Sequence, residues 1–502
     1  MPYLKSYLIA KRTDWRVSLP YVFLALALLL VYWPVLTNCF GFRDDYVYMF
    51  AYTHERSYLM RALSAMGRPL YDLVSDLAFS KWHRTCDLGI LRQFCWVTLV
   101  LFAWQVYRFC REHQCQSSTA FAIALGVCTV PGMSLLVFWA ITFSFVVSLM
   151  LSFGAASLLA SQDRPLSASR AVTVICLLIA ALSMYQVGAM AYWLAIGIAF
   201  FTAKTPFTFR RIFTLLGLFG IGLVIYYAAY KFMLRWITHP EVLLFAQRGA
   251  ITQNPLEKLN QVVSLIARAS SLGFIRPVPS VAIPVAILIF YLVCQAQSLK
   301  QKLFKLAVIG ALILATLLPM LPVQEVEINL RLISITGALI WALFILALSK
   351  VPAPPVAKAI LLVTLSMLQA MAISANMRLS IALFQAEHAA IVEDIQRHPL
   401  DNPENKVYLA PTTESNWQLG APRTIEYGTP STQFSYAYLR TQYQQIYFEL
   451  TGRPSKHIYQ ACPPQDGVGC DLSDMQDPRI RPVPTLIRQH LPPQWPLHPS
   501  VK

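Results

Sequence analysis

Charge is what this 502-residue sequence has least of: 13% of its residues are Asp, Glu, Lys or Arg, against 56% hydrophobic. About a quarter of the residues of an ordinary soluble domain are charged, so the scarcity excludes that class and, with a mean hydropathy of +0.50, implies a polytopic membrane protein. Ionisable side chains are also nearly absent from the centres of the apolar runs. Ion-coupled transporters and proton relays place Asp, Glu or His there, so that class loses ground. There is no Walker A loop, no GxGxxG after a strand and no HExxH, which leaves a soluble nucleotide donor unsupported. No CxxC pair and no His/Cys spacing reads as a zinc site, and no internal repeat is found.

What is present is a series of apolar stretches close to the length a helix needs to cross roughly 30 Å of hydrocarbon. They fall near residues 20–36, 93–108, 118–134, 138–160, 171–186, 188–203, 212–230, 279–297, 304–322, 331–349 and 358–376, about eleven spans. The intervening Lys and Arg collect on one side: Lys5, Lys11, Arg12 and Arg16; Arg108 and Arg111; Arg164 and Arg170; Lys204, Arg210 and Arg211; Lys300, Lys302 and Lys305; Lys350 and Lys358. The opposite turns "VPGMS" and "MYQVG" are uncharged. By the positive-inside rule the N-terminus is cytoplasmic, and an odd number of spans leaves the C-terminus outside. The net charge of +16 is then mostly topology, and a nucleic-acid partner is not expected. The first run is too long and too aromatic for a signal peptide, and no small-residue cleavage site follows it.

Two domains are expected: a transmembrane unit over residues 1–376, with external loops at 37–92 and 231–278, and an external tail over 377–502. In the first loop "SYLMRALSAMGRPLYDLVSDLAF" has a helical apolar period broken in two by Gly67 and Pro69. The second loop holds an amphipathic helix with Leu256, Leu259, Val263 and Ile266 on one stripe, capped by Asn254. Such helices lie in the bilayer interface. The tail opens with a helix-like "IALFQAEHAAIVEDIQRH", continues with strand-like "KVYLA", "TIEYG" and "QIYFEL", and ends Pro-rich and irregular. The external pairs Cys39 with Cys86 and Cys462 with Cys470 could each form a disulfide in an oxidising space, whereas Cys110 and Cys115 face the cytoplasm.

The chemistry begins at "NCFGFRDDYVYMF", where Asp44 and Asp45 follow the first span. A loop Asp pair is often a solvated helix cap, but here aromatic residues follow, and apolar surroundings raise a carboxyl towards a useful base. Neighbouring residues point about 100° apart on a helix, so the two are not a facing glycosidase pair; one takes a proton while the other binds a cation or orients a substrate. External arginines, among them Arg68, Arg276 and Arg331, have the fork that matches a phosphate leaving group, although each could equally contact lipid headgroups.

The Asp pair after the first span, "GRPLYDLV" in the same loop, "SMYQVGAMAYW" and "NLRLISITGALIW" occur in that order on external positions. Together they resemble the bacterial O-antigen glucosyltransferase family of the serotype-conversion type, within the GT-C superfamily of polytopic glycosyltransferases, over roughly residues 20–400. The resemblance implies an all-α GT-C-like fold in the bacterial inner membrane. It further implies transfer of a sugar, most often glucose, from a polyprenyl phosphate to a hydroxyl of a surface glycan at the periplasmic face. It places the catalytic base at Asp44 or Asp45, with Asp44 preferred, and donor-phosphate contacts at Arg68, Arg276 and Arg331. Tyr71, Tyr185, Gln186, Glu325 and Glu327 would line the substrate pocket. Many superfamily members use a divalent cation, Mg or Mn, for which Asp45 is the candidate ligand here. Proteins that make and flip the donor would be partners. The competing readings are an O-antigen polymerase or ligase, which would not need the Asp pair, and a non-enzymatic flippase for lipid-linked sugars.

Overall fold

A computed structural model of the chain describes residues 15–42, 44–54, 56–82, 84–160, 166–203, 207–237, 254–270, 279–321, 330–397, 407–409, 436–452, 459–461 and 480–481. Helices dominate. In chain order they are α1 (Trp15–Thr37), α2 (Asp44–His54), α3 (Arg56–Ala65), α4 (Pro69–Phe79), α5 (Leu88–Glu112), α6 (Ser117–Thr129), α7 (Pro131–Phe138), α8 (Phe145–Ala160), α9 (Ala168–Met184), the single turn α10 (Gln186–Ala189), α11 (Ala191–Thr202), α12 (Phe209–Leu234), α13 (Pro255–Ala269), α14 (Pro279–Cys294), α15 (Leu299–Thr316), α16 (Ser334–Lys350), α17 (Pro355–Arg397) and α18 (Tyr436–Thr451). Three short strands, β1 (Val407–Leu409), β2 (Tyr459–Ala461) and β3 (Ile480–Arg481), pair in parallel in the order β2-β1-β3.

This is the architecture of a helical multi-pass membrane protein. Each of the eleven apolar stretches overlaps a helix, yet among the described residues six helices are long and apolar enough to cross a membrane, or seven if α6 and α7 form one span bent by 58°. The differences have local causes. Val130 sits at φ −63°, ψ 148° because the following Pro131 disfavours the helical region for its predecessor, and Tyr185 is extended between α9 and α10. The segments over α9, α10–α11 and α14 are apolar but shorter, and α15 carries Lys300, Lys302 and Lys305 in its first two turns.

The bundle is built around α16, whose side chains from Ser334 to Ala347 are all buried. Its Trp341 lies against Gly126 of α6 and donates from Nε1 to the Ala122 carbonyl at 3.0 Å. At the periphery, Phe213, Val224 and Tyr227 of α12 are exposed, an outward apolar face that suits lipid. The 43 residues of α17 span about 65 Å at 1.5 Å per residue, roughly twice the hydrocarbon thickness. The boundary expected at 376/377 therefore falls inside an unbroken helix. Its far half meets α18, where Gln442 Nε2 donates to Glu387 Oε2 and the Tyr443 hydroxyl donates to Asp394 Oδ2, each at 3.2 Å.

The "QIYFEL" segment, expected as a strand, belongs to α18. Its β-forming residues are overruled because Tyr443, Ile446 and Tyr447, at helical spacing, bury one face. The expected break between two external helices does occur, with α3 and α4 meeting at Gly67 and Arg68. On α13 the face turned inwards carries Lys258, Val262, Leu265 and Ala269, while Leu256, Leu259 and Val263 are exposed, the disposition of an interfacial helix. Cys39 and Cys86 are disulfide-bonded, tying the end of α1 to the start of α5. Cys462, Cys470 and "TIEYG" lie outside the described residues.

Candidate functional site

Asp44 and Asp45 form the first turn of α2, where negative charge is favoured by the helix dipole. Their neighbourhoods differ completely. Asp45 is fully buried: Oδ1 accepts the Ile141 N–H at 3.0 Å, and Oδ2 accepts the Phe42 N–H at 3.0 Å and Arg92 Nη2 at 3.3 Å. Burial pushes its carboxyl up to about 6 against the opposing pull of Arg92. Arg92, also fully buried, donates from Nε to the Phe138 carbonyl at 3.1 Å and lies 3.7 Å from the centre of the Phe40 ring. Asp44, one residue earlier, is only half-buried. Of the two carboxylates, Asp44 is the one accessible to a reacting group.

That division bears on the metal expected at Asp45. Three donors already approach its two oxygens, one on Oδ1 and two on Oδ2, and the side chain is fully buried. Among the described residues no group of three His, Cys, Asp or Glu side chains converges that could hold one.

The Ile141 peptide is the junction of the site. Its N–H goes to Asp45, and its carbonyl accepts the Tyr71 hydroxyl. The peptide is presented by a 3-10 turn, Ala140–Thr142, where the single Thr142 hydroxyl proton lies within reach of both the Leu136 and the Trp139 carbonyls. Tyr71 is buried with its ring centroid 4.8 Å from that of Phe145, and Phe145 stacks on Tyr185 at 3.8 Å. The Arg68 guanidinium lies over this stack, 5.7 Å from Phe145 and 5.5 Å from Tyr185. Arg68 precedes Pro69 at the start of α4, and its Nε donates to Gln186 Oε1 at 3.3 Å.

Arg331, in the 3-10 turn Leu330–Ile333, places its guanidinium 4.4 Å from the Trp139 ring centre. Its Nε is buried without a hydrogen-bond partner among the described residues. Both Arg68 and Arg331 are close enough to the Tyr71 hydroxyl to act on it electrostatically, although burial prevails and raises its pKa. Two arginines, each backed by an aromatic ring, therefore flank one buried tyrosine.

The sequence-derived set thus divides. Asp45 and Tyr71 meet at Ile141, Tyr71 and Tyr185 meet at Phe145, Arg68 lies over that stack and bonds Gln186, Arg331 stands against Trp139 beside the same turn, and Asp44 adjoins Asp45 at the start of α2. Arg276, Glu325 and Glu327 lie outside the described residues. Sequence reasoning overlooked Arg92, which reads as an ordinary basic residue at a span's edge. It also overlooked Asp72, although the residue stands in the quoted "GRPLYD". Asp72 is buried, accepts the Ser64 hydroxyl on Oδ2 and has no hydrogen-bond partner on Oδ1 among the described residues. Burial raises its carboxyl to about 7. Ile141 and Phe145 carry no sequence signal, because one acts through its backbone and the other as one aromatic among many.

No family model, curated protein or solved structure matches the chain.

Proposed function

We propose that this chain is a membrane glycosyltransferase of GT-C type that moves a sugar, glucose in the first instance, from a polyprenyl-phosphate donor to a hydroxyl of a surface glycan such as O-antigen. The observation that carries this reading is that two ring-backed arginines, Arg68 and Arg331, act on Tyr71, whose hydroxyl bonds to the same residue, Ile141, that holds Asp45, the buried neighbour of the more accessible Asp44. A phosphate between the arginines and a hydroxyl near the carboxylate are the two ends of one displacement.

In that reaction the acceptor oxygen forms a bond to the anomeric carbon as the bond from that carbon to the phosphate oxygen breaks, with inversion. Asp44 takes the acceptor's proton. The polyprenyl phosphate leaves with one more negative charge, which Arg68 and Arg331 stabilise where it develops. Asp45 and Arg92 are the wall on which Asp44 is mounted. Orientation with this end on the periplasmic face of the inner membrane is supported by the opposite end, where basic side chains hold carbonyls at helix ends and in the α5–α6 turn. Arg111 Nη1 donates to Cys115 O at 2.6 Å, Lys358 Nζ to Ser349 O at 3.0 Å, and Arg211 Nη2 to Ala160 O. Basic residues favour the cytoplasmic side.

The test is transfer of radiolabelled glucose from synthetic polyprenyl-phosphate-glucose to cell-envelope glycan by the purified protein. Asp44→Asn should lower transfer by about 10²- to 10⁴-fold, the usual contribution of a general base, with the unfolding temperature unchanged. Asp45→Asn should lower stability as well as transfer, because it leaves the buried Arg92 charge uncompensated. Transfer that survives Asp44→Asn would remove the base from the mechanism. Absence of transfer with every lipid-linked sugar tried would favour the polymerase, ligase or flippase readings.

A further inference from the structure

The last carbonyls of a helix have no donors within it, and at the end of α3 each one goes to an identifiable partner. The Arg68 N–H reaches back to the Leu63 carbonyl at 3.1 Å and the Gly67 N–H to the Ser64 carbonyl at 2.9 Å, a glycine-terminated helix end with Gly67 at φ +79°. The next three carbonyls are taken by side chains from distant parts of the chain. The Tyr230 hydroxyl donates to Ala65 O at 2.8 Å. Gln186 Nε2 reaches Met66 O at 3.2 Å and Gly67 O at 2.8 Å, sharing one proton between them, and the Tyr226 hydroxyl donates to Gly67 O at 2.6 Å.

The same residues also reach the head of Arg68. Gln186 Nε2 donates to the Tyr226 hydroxyl at 2.9 Å, while its Oε1 accepts from Arg68 Nε at 3.3 Å. Arg68 is therefore held at two points, its backbone through the turn and its guanidinium through Nε. Glycine is required here twice over: a Cβ on Gly67 would meet the Tyr226 hydroxyl at 2.5 Å and Gln186 Nε2 at 2.9 Å, and its φ disfavours any other residue.

We infer that Gln186, Tyr226 and Tyr230 are positioning residues that clamp the Ala65–Arg68 turn, so that Arg68 meets the phosphate of a lipid-linked donor end-on, through Nη1 and Nη2. The inference rests on the proposed role of Arg68 as a phosphate ligand. It reassigns Gln186, which turns both ends of its amide to the clamp rather than to a sugar. It also gives α12, a helix with an outward apolar face, a part in the site.

The experiment is a double-mutant cycle on the purified full-length chain in detergent, reading the dissociation constant for farnesyl monophosphate, with farnesol as the phosphate-free control. Arg68→Ala should weaken farnesyl monophosphate binding by about tenfold or more, as expected for loss of a charge-assisted contact. Tyr226→Phe should weaken it about fivefold, and the double variant should be no weaker than Arg68→Ala alone, because coupled residues are non-additive. Farnesol binding should not change. If Tyr226→Phe costs the same factor with Arg68 absent, or weakens farnesol equally, the hydroxyl is only structural and the clamp is overturned. If Tyr226→Phe binds like wild type while Arg68→Ala does not, the clamp fails and the phosphate reading stands. If Arg68→Ala has no effect, both fail. Should Tyr226→Phe not fold, Tyr230→Phe, which removes only the donor to Ala65 O, enters the same cycle and is judged by the same outcomes.

Discussion

Adjacent aspartates with identical intrinsic chemistry acquire different work from their surroundings. Asp45 spends its oxygens on Ile141, Phe42 and Arg92, and the buried ion pair is more useful for fixing one geometry than for stability. Asp72 is the third carboxyl to consider. Its folded pKa, raised by burial from 3.8 to about 7, lies above its value in the unfolded chain. The folded state therefore holds the proton more tightly, and the stability that proton uptake contributes is present below about pH 4 and lost as pH rises to about 7. Asp72→Asn should flatten the fall in unfolding temperature between those limits. An infrared band of a protonated carboxyl that persists to near neutral pH and is missing from the variant would identify the group directly; a slope unchanged in Asp72→Asn would assign it elsewhere.

At the scale of elements, two contacts decide how the helices meet. Gly126 lets α16 approach α6 until Trp341 fills the space a side chain would occupy, since a Cβ there would stand 1.7 Å from Trp341 Nε1. Gly126→Ala should destabilise the bundle by about 1–3 kcal/mol through overpacking, read as a lower unfolding temperature in detergent, and Trp341→Phe should recover part of it. An unshifted transition in Gly126→Ala would mean that Trp341 is not seated there. The second contact is α18 on the far half of α17 and on α2. Glu449 Oε1 accepts from the backbone N and the hydroxyl of Thr85, each at 2.9 Å, so the tail helix also braces the turn that starts α5.

For the whole molecule, the segment between α1 and α5 is the part most in need of restraint, because it carries Asp44, Arg68 and Tyr71 at the end of the bundle. The Cys39–Cys86 disulfide closes it across a sequence separation of 47. By the loop-closure relation such a crosslink contributes about 4 kcal/mol. Reduction, or Cys39→Ser with Cys86→Ser, should lower the unfolding temperature, and wild-type unfolding unaffected by reductant would show that the crosslink adds nothing. The sorting of chemistry by end is equally global: carboxylate, ring-backed arginines and disulfide lie at one end, and Arg111, Arg211 and Lys358 on backbone carbonyls at the other.

The sequence by itself determined that the chain is helical and membrane-embedded, because scarce charge and long apolar runs have no other stable arrangement in water or lipid. It also marked one loop as chemically loaded, because Asp44, Asp45, Arg68 and Tyr71 stand within a single short segment, and it offered Cys39 and Cys86 as a pair that the structure then joins. Tertiary structure alone decided what those residues can do. Whether Asp45 is accessible depends on Arg92 and the Ile141 peptide, 47 and 96 residues away. What Gln186 holds depends on a turn 119 residues earlier. Such contacts are set by packing between helices distant in sequence, and no local pattern encodes a backbone amide as the partner of a particular carboxylate. The same reason explains "QIYFEL": strand-forming residues become helical where Tyr443, Ile446 and Tyr447 are buried at helical spacing.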